Sequence, residues 1–219
     1  MRIVDLVKIY KERNFSYREI KGIVLFVNKY EGVFGERYHK RIINRLAELN
    51  RIRYQFDDTK HIARSLKNEI VFFKNIKNDD DFFIYLQHEL FHFIQKEGSL
   101  FEHVPEVYRD RWPENCNILL WEEAFVQYFT SVINDKRPEF TFIENGEIKR
   151  YWLNECYKSS VGYIEKLEYK FGIQTLMDMY MDDNVYLKII DLCEKWNKRY
   201  LFKIMTKVCE KSAKDGVVS

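Results

Sequence analysis

Chain breakers are scarce in this sequence, with eight glycines and three prolines in 219 residues. So few breakers exclude a low-complexity or Pro/Gly-rich chain and leave room for few long loops. Cysteine is also sparse. Cys116, Cys156, Cys193 and Cys209 lie far apart and form no CxxC pair, so they read as reduced thiols in a cytoplasmic protein. No apolar run is long enough to cross a bilayer. The opening stretch, MRIVDLVKIYKERNF, is interrupted by charges too early for a secretory signal. An excess of one charge is missing as well: 36 basic residues face 34 acidic ones, for a net charge of +2. Lys40-Arg41 and the Lys195–Arg199 stretch sit among aromatic and acidic neighbours and read as solvated helix faces, so no nucleic-acid partner is expected.

What the sequence does have is hydrophobic and aromatic mass. Hydrophobic residues make up 46%, including 17 Phe and 15 Tyr, and charged residues 32%. That composition suits a compact, helix-rich chain with a solvated surface. Ser16-Tyr17-Arg18-Glu19 has the S-x-x-E form of a helix capping box and predicts a helix to about Tyr30, with Gly32 and Gly35 marking a turn. A second helix is predicted over Glu36 to Leu49, with Ile42, Ile43 and Leu46 on one face. Arg51 to Phe56 alternates and reads as a short strand. Glu69 to Phe73 is a stronger strand, rich in β-branched and aromatic residues.

Asn78 to Asp81 can cap a helix and complement its positive end. That helix is predicted to run to about Glu97 and stop at Gly98. After a loop containing Pro105 and Pro113, a further helix is expected from Asn117 to Ile133. Asn145-Gly146 then signals a hairpin between Glu139 and Arg150. From Tyr151 onward the pattern is helical, broken at Gly172 and near 182–184. The expectation is one α+β domain over residues 1–219, with a small mixed sheet packed on a mostly helical body. Residues 1–60 form its N-terminal part, 69–172 its core and 173–219 its C-terminal helices.

Chemistry concentrates at residues 88–92, His-Glu-Leu-Phe-His, an H-E-x-x-H motif. Positions i and i+4 share a helix face, so His88 and His92 can reach one ion at about 2.0–2.1 Å each. Glu89 is displaced around the helix, where it can accept a proton from a metal-activated water. Phe83, Leu86, Leu90 and Phe93 form an apolar stripe that would bury the helix and hold the ligands. A catalytic zinc site needs a third protein ligand. Gln95 and Gly98 occupy the positions where a metzincin needs Gly and then His, which excludes that branch. The next dense candidate is Trp121-Glu122-Glu123-Ala124-Phe125-Val126-Gln127-Tyr128-Phe129.

On these residues the chain resembles gluzincin peptidases, the thermolysin- and aminopeptidase-like group, whose second helix often reads W-x-N-E-G-x-A-x-Y-F. The resemblance implies a zincin-like fold, a Zn²⁺ cofactor and Glu123 as third ligand, with Glu122 in place of Asn and Ala124 in place of Gly. Glu122 and His103 are the rival ligands. The gap after His92 is longer than in those families, which implies an insertion from Gly98 to Cys116. Gluzincins also place a sheet-edge strand before the metal helix to pair with extended substrate, and Glu69 to Phe73 fits that slot. Tyr157-Lys158-Ser159-Ser160-Val161-Gly162-Tyr163, leading to Phe171-Gly172, is similar to the aminopeptidase segment whose tyrosine stabilises the oxyanion. By that likeness Tyr157 takes the role, although the Lys is displaced and the Gly is missing. The implied activity is that of a zinc-dependent metallohydrolase, a peptidase acting on peptide or protein substrates.

Two alternatives stand beside it. A zincin fold retained as a binding or regulatory module would lack the reaction. A di-iron carboxylate protein would use Glu36-x-x-His39 and Glu89-x-x-His92 together with Glu19 and Glu123.

Overall fold

The structure is a computed structural model that describes residues 1–57, 62–95, 118–134, 139–144, 147–152 and 158–181. Seven helices and five strands lie among them: α1 (Ile3–Glu12), α2 (Tyr17–Phe34), α3 (His39–Leu46), β1 (Arg51–Tyr54), β2 (Ala63–Ser65), β3 (Glu69–Phe72), α4 (Asp79–Ile94), α5 (Ile118–Ile133), β4 (Glu139–Glu144), β5 (Glu147–Trp152), α6 (Lys158–Phe171) and α7 (Ile173–Met181). The class is α+β. No helix among the described residues is long and apolar enough to cross a membrane.

The chain divides into two compact units, Met1–Ile94 with Thr130–Tyr151, and Gln95–Phe129 with Trp152–Ser219. In the first unit, α2 starts as its sequence dictates. The Ser16 side chain accepts from the Glu19 amide and the Glu19 carboxylate accepts from the Ser16 amide at 2.6 Å, so two amides that the helix cannot satisfy are satisfied locally. The helix runs past the expected end at Tyr30. Gly32 lies inside it, and the turn belongs to Gly35, which ends the helix at φ +70°. Tyr30 and Phe34 are buried on its core face, and that packing outweighs the modest cost of an internal glycine. Helix α3 is shorter than expected, and Ile42, Ile43 and Leu46 do form its buried face.

β1, β2 and β3 form a mixed sheet in the order β1-β3-β2, with β1 parallel and β2 antiparallel to β3. The expectation that residues 69–73 form a sheet edge is therefore wrong. β3 is the central strand, and the edges are β1 and β2. The reason is in its composition: Ile70, Val71 and Phe72 are consecutive and each at most 1% exposed. A strand buried on both faces belongs inside a sheet, where its ladder groups are also paired.

Helix α4 follows. Asn78 Oδ1 accepts from the Asp80 amide at 2.7 Å and the Asp81 amide at 3.3 Å, and Asp79, Asp80 and Asp81 occupy the positive first turn. Phe83, Leu86, Leu90 and Phe93 are all buried, as the apolar stripe requires. Helices α2 and α4 approach closely at Gly22, where a Cβ would stand 2.8 Å from Leu86 Cδ2 and 3.0 Å from Phe83 Cδ1. β4 and β5 pair as a two-stranded sheet; Asn145 and Gly146, where the hairpin turn is expected, lie outside the described residues.

The second unit carries most of α5, then α6 and α7, with the break between the last two at Gly172, φ +79°. Its core includes Phe125, Phe129, Leu167, Leu176 and Tyr180, all buried. The Tyr180 ring stacks on Phe125 at 6.3 Å between centroids and meets Phe129 edge-on at 5.2 Å.

Candidate metal centre

A helix places residues four apart one turn above the other, and α4 does this for His88 and His92. Their Nε2 atoms lie 3.3 Å apart and their rings meet at 68° with centroids 5.0 Å apart. Two nitrogens bound at about 2.0–2.1 Å to one tetrahedral ion stand about 3.3–3.4 Å apart by geometry. The pair is thus spaced for a shared ion. His88 is 8% exposed and Glu89 7%. Glu89, one position on, points about 100° around the helix from His88.

Helix α5 supplies Glu123. His88, His92 and Glu123 each offer one ligand atom, and these atoms lie within 4.8 Å of one another. Two imidazoles and a carboxylate form a donor set that could hold a metal ion. Among the described residues no other group of three or more His, Cys, Asp or Glu side chains gathers in this way. Glu122 is not part of it. The neighbouring position turns it elsewhere, yet it is buried at 7% exposure rather than facing solvent.

The di-iron arrangement is not assembled. Glu19 is committed to the Ser16 amide and to the Tyr54 hydroxyl, which donates to it at 2.9 Å. His39 pairs through Nδ1 with Glu31. Neither residue joins His88, His92 and Glu123. Tyr157, His103 and the 98–116 segment lie outside the described residues, as do all four cysteines.

No sequence pattern points to Tyr180. It is fully buried, and burial, reinforced by the negative charges of Glu122 and Glu123, holds its phenol well above the ordinary tyrosine pKa. The hydroxyl therefore stays protonated throughout the neutral range. No local motif marks this residue, because its nearness to the two glutamates comes from the packing of α7 and not from sequence spacing. A second phenol, Tyr128 on α5, donates to Glu168 of α6, and burial raises the pKa of that carboxylate.

No family model matches the chain, and neither a curated protein nor a solved structure matches it.

Proposed function

We propose that this protein is a zinc-dependent hydrolase that cleaves amide bonds, with peptides as substrates. The observation that carries the reading is the 3.3 Å separation of the His88 and His92 Nε2 atoms on a helix whose next residue after His88 is a buried glutamate. Glu123 serves as third ligand, giving the two-histidine, one-carboxylate donor set of zinc hydrolases. These three residues would hold the zinc, which would supply Lewis-acid polarisation of a carbonyl and acidification of water.

The chain's own residues do the rest. Glu89 accepts the proton of the attacking water and delivers it to the departing amine nitrogen. Its place on α4, one residue after His88 and buried at 7% exposure, sets its backbone beside that of the first imidazole. Tyr157 is proposed to donate to the developing oxyanion. An extended peptide would be held by strand addition. The strand suited to this is β2, an edge strand antiparallel to β3 that packs on α4.

The test combines metal content with turnover. Purified protein is expected to carry about one zinc per chain, which a chelator removes. His88→Ala with His92→Ala should abolish binding. Glu89→Gln should keep the zinc and lose hydrolysis of a broad peptide library, because an amide accepts no proton. Full zinc occupancy in the double histidine variant would end the reading. Unaltered turnover by Glu89→Gln would remove Glu89 from its role.

A further inference from the structure

Helix α4 is held at both ends by an arginine of the same design. At its start, Arg18 of α2 donates through Nη2 to the carbonyls of Lys77 at 3.2 Å and Asn78 at 2.9 Å, and its Nε meets Asp79 at 2.8 Å. The guanidinium lies 4.2 Å from the centre of the Phe82 ring. At the other end, Arg45 of α3 donates through Nε to the Phe93 carbonyl at 3.0 Å and through Nη2 to the Lys67 carbonyl at 3.3 Å, while Nη1 pairs with Glu48. Its guanidinium lies 4.6 Å from the centre of the Phe93 ring. The Arg45 side chain is 12% exposed and Phe93 2%.

The two ends differ in what they carry. The last four carbonyls of a helix have no partner within it, so a final turn frays unless something outside holds it. That final turn contains His92, next in sequence to Phe93, and His88 stands one turn before it. The 3.3 Å spacing of the two Nε2 atoms exists only while the turn stays helical. Arg45 fastens it by the backbone and by the ring of one residue, and its positive charge complements the negative helix end.

We propose that Arg45 is a positioning residue for the metal centre. It holds the last turn of α4 so that His92 faces the ion beside His88. Arg18, clamping the first turn, has a purely structural part. Lysine cannot replace Arg45, because a single ammonium cannot span two carbonyls while also lying over a ring. The inference rests on the metal reading above.

The experiment compares wild type, Arg45→Gln, Arg45→Lys and Arg18→Gln by competitive zinc titration, by the visible spectrum of the cobalt-loaded protein and by thermal melting without metal. Arg45→Gln and Arg45→Lys are expected to weaken zinc binding about tenfold or more, within the 10–100-fold range of residues that orient ligands from behind, and to alter the cobalt spectrum. Arg18→Gln should lower the melting temperature, yet keep wild-type zinc affinity and spectrum, since its contacts at Asp79 and Phe82 lie more than one helical turn before His88. Arg45→Lys keeps the charge and provides the reading should Arg45→Gln fail to fold. Wild-type zinc affinity and spectrum in the Arg45 variants, or an equal loss in Arg18→Gln, overturns the proposal. Absence of zinc binding by wild type overturns the metal reading, and this inference with it. Binding by wild type with no difference at Arg45 overturns this inference alone.

Discussion

Helices α2 and α4 pack against each other and are built to different specifications. α2 buries one stripe, Glu19, Ile23, Phe26, Val27, Tyr30 and Phe34, with Gly22 at the close approach. α4 buries eleven of its sixteen residues, and four of these, Asp81, Gln87, His88 and Glu89, are polar or charged. A helix selected only for packing has no reason to bury such groups, since each must recover the hydrogen bonds it had in water. The one charged group that α2 buries, Glu19, is accounted for locally by the capping box with Ser16. α4 departs from local rules in the stretch Gln87-His88-Glu89, and departures of that kind gather at functional sites.

The comparison can be tested from its strongest element downward. Phe91 is fully buried and meets Phe26 of α2 edge-on at 5.0 Å. Phe91→Ala should cost about 3–5 kcal/mol of stability, read from urea unfolding. A loss below about 1 kcal/mol would show that the α2–α4 contact is not part of the core. Zinc should act on one helix and not on the other. At a thousandfold excess over its Kd a ligand stabilises the native state by about 4 kcal/mol, and hydrogen exchange should show added protection concentrated in the last turns of α4. Equal protection along α2 would contradict a site confined to α4 and its partner ligand.

A third test sets two glycines of the same helix against each other. Gly22→Ala drives a methyl to 2.8 Å from Leu86 and should destabilise by about 1–3 kcal/mol, less the helix-propensity gain. Gly32→Ala meets nothing within 4 Å and should stabilise by about 0.5–1 kcal/mol. Thermal melts of both variants check the opposite signs. Ser16→Ala removes the acceptor of the α2 capping box and should cost about 1 kcal/mol. A loss as large as that of Phe91→Ala would mean that the cap also supports the Glu19–Tyr54 bond.

The smallest expected effect is that of alkali. Burial, and then the neighbouring Glu19, raise the Tyr54 pKa above its ordinary 10.0. Burial raises that of Tyr10, whose hydroxyl donates to the Leu46 carbonyl at 2.7 Å. The folded state keeps these protons after the unfolded state has released them. Their contribution is therefore complete below about pH 10 and declines as the pH rises beyond it. The urea midpoint should fall above pH 10, and less steeply in Tyr54→Phe.

Which features were legible follows from the range of the interactions behind them. The capping box at Ser16, the Asn78 cap and the alternation at Arg51 all act over a few residues. The i,i+4 pair His88 and His92 is equally local, so the sequence was enough to put both imidazoles on one helix face. Glu123 was legible only as one of two adjacent glutamates, and its grouping with the histidines depends on which side α5 presents. Gly32 carries a turn signal that the structure does not follow, because the buried Tyr30 and Phe34 extend the helix through it.

The sequence by itself determined where α2, α4 and α5 form and which residue types they carry, because backbone hydrogen bonding and side-chain period are short-range. Tertiary structure alone decided that β3 lies in the centre of its sheet, that Gly22 must lack a side chain, that Tyr180 is fully buried beside Glu122 and Glu123, and that Arg45 bonds to the last turn of α4. These are contacts between segments far apart in the chain, set by how apolar faces exclude water together, and no local pattern encodes them.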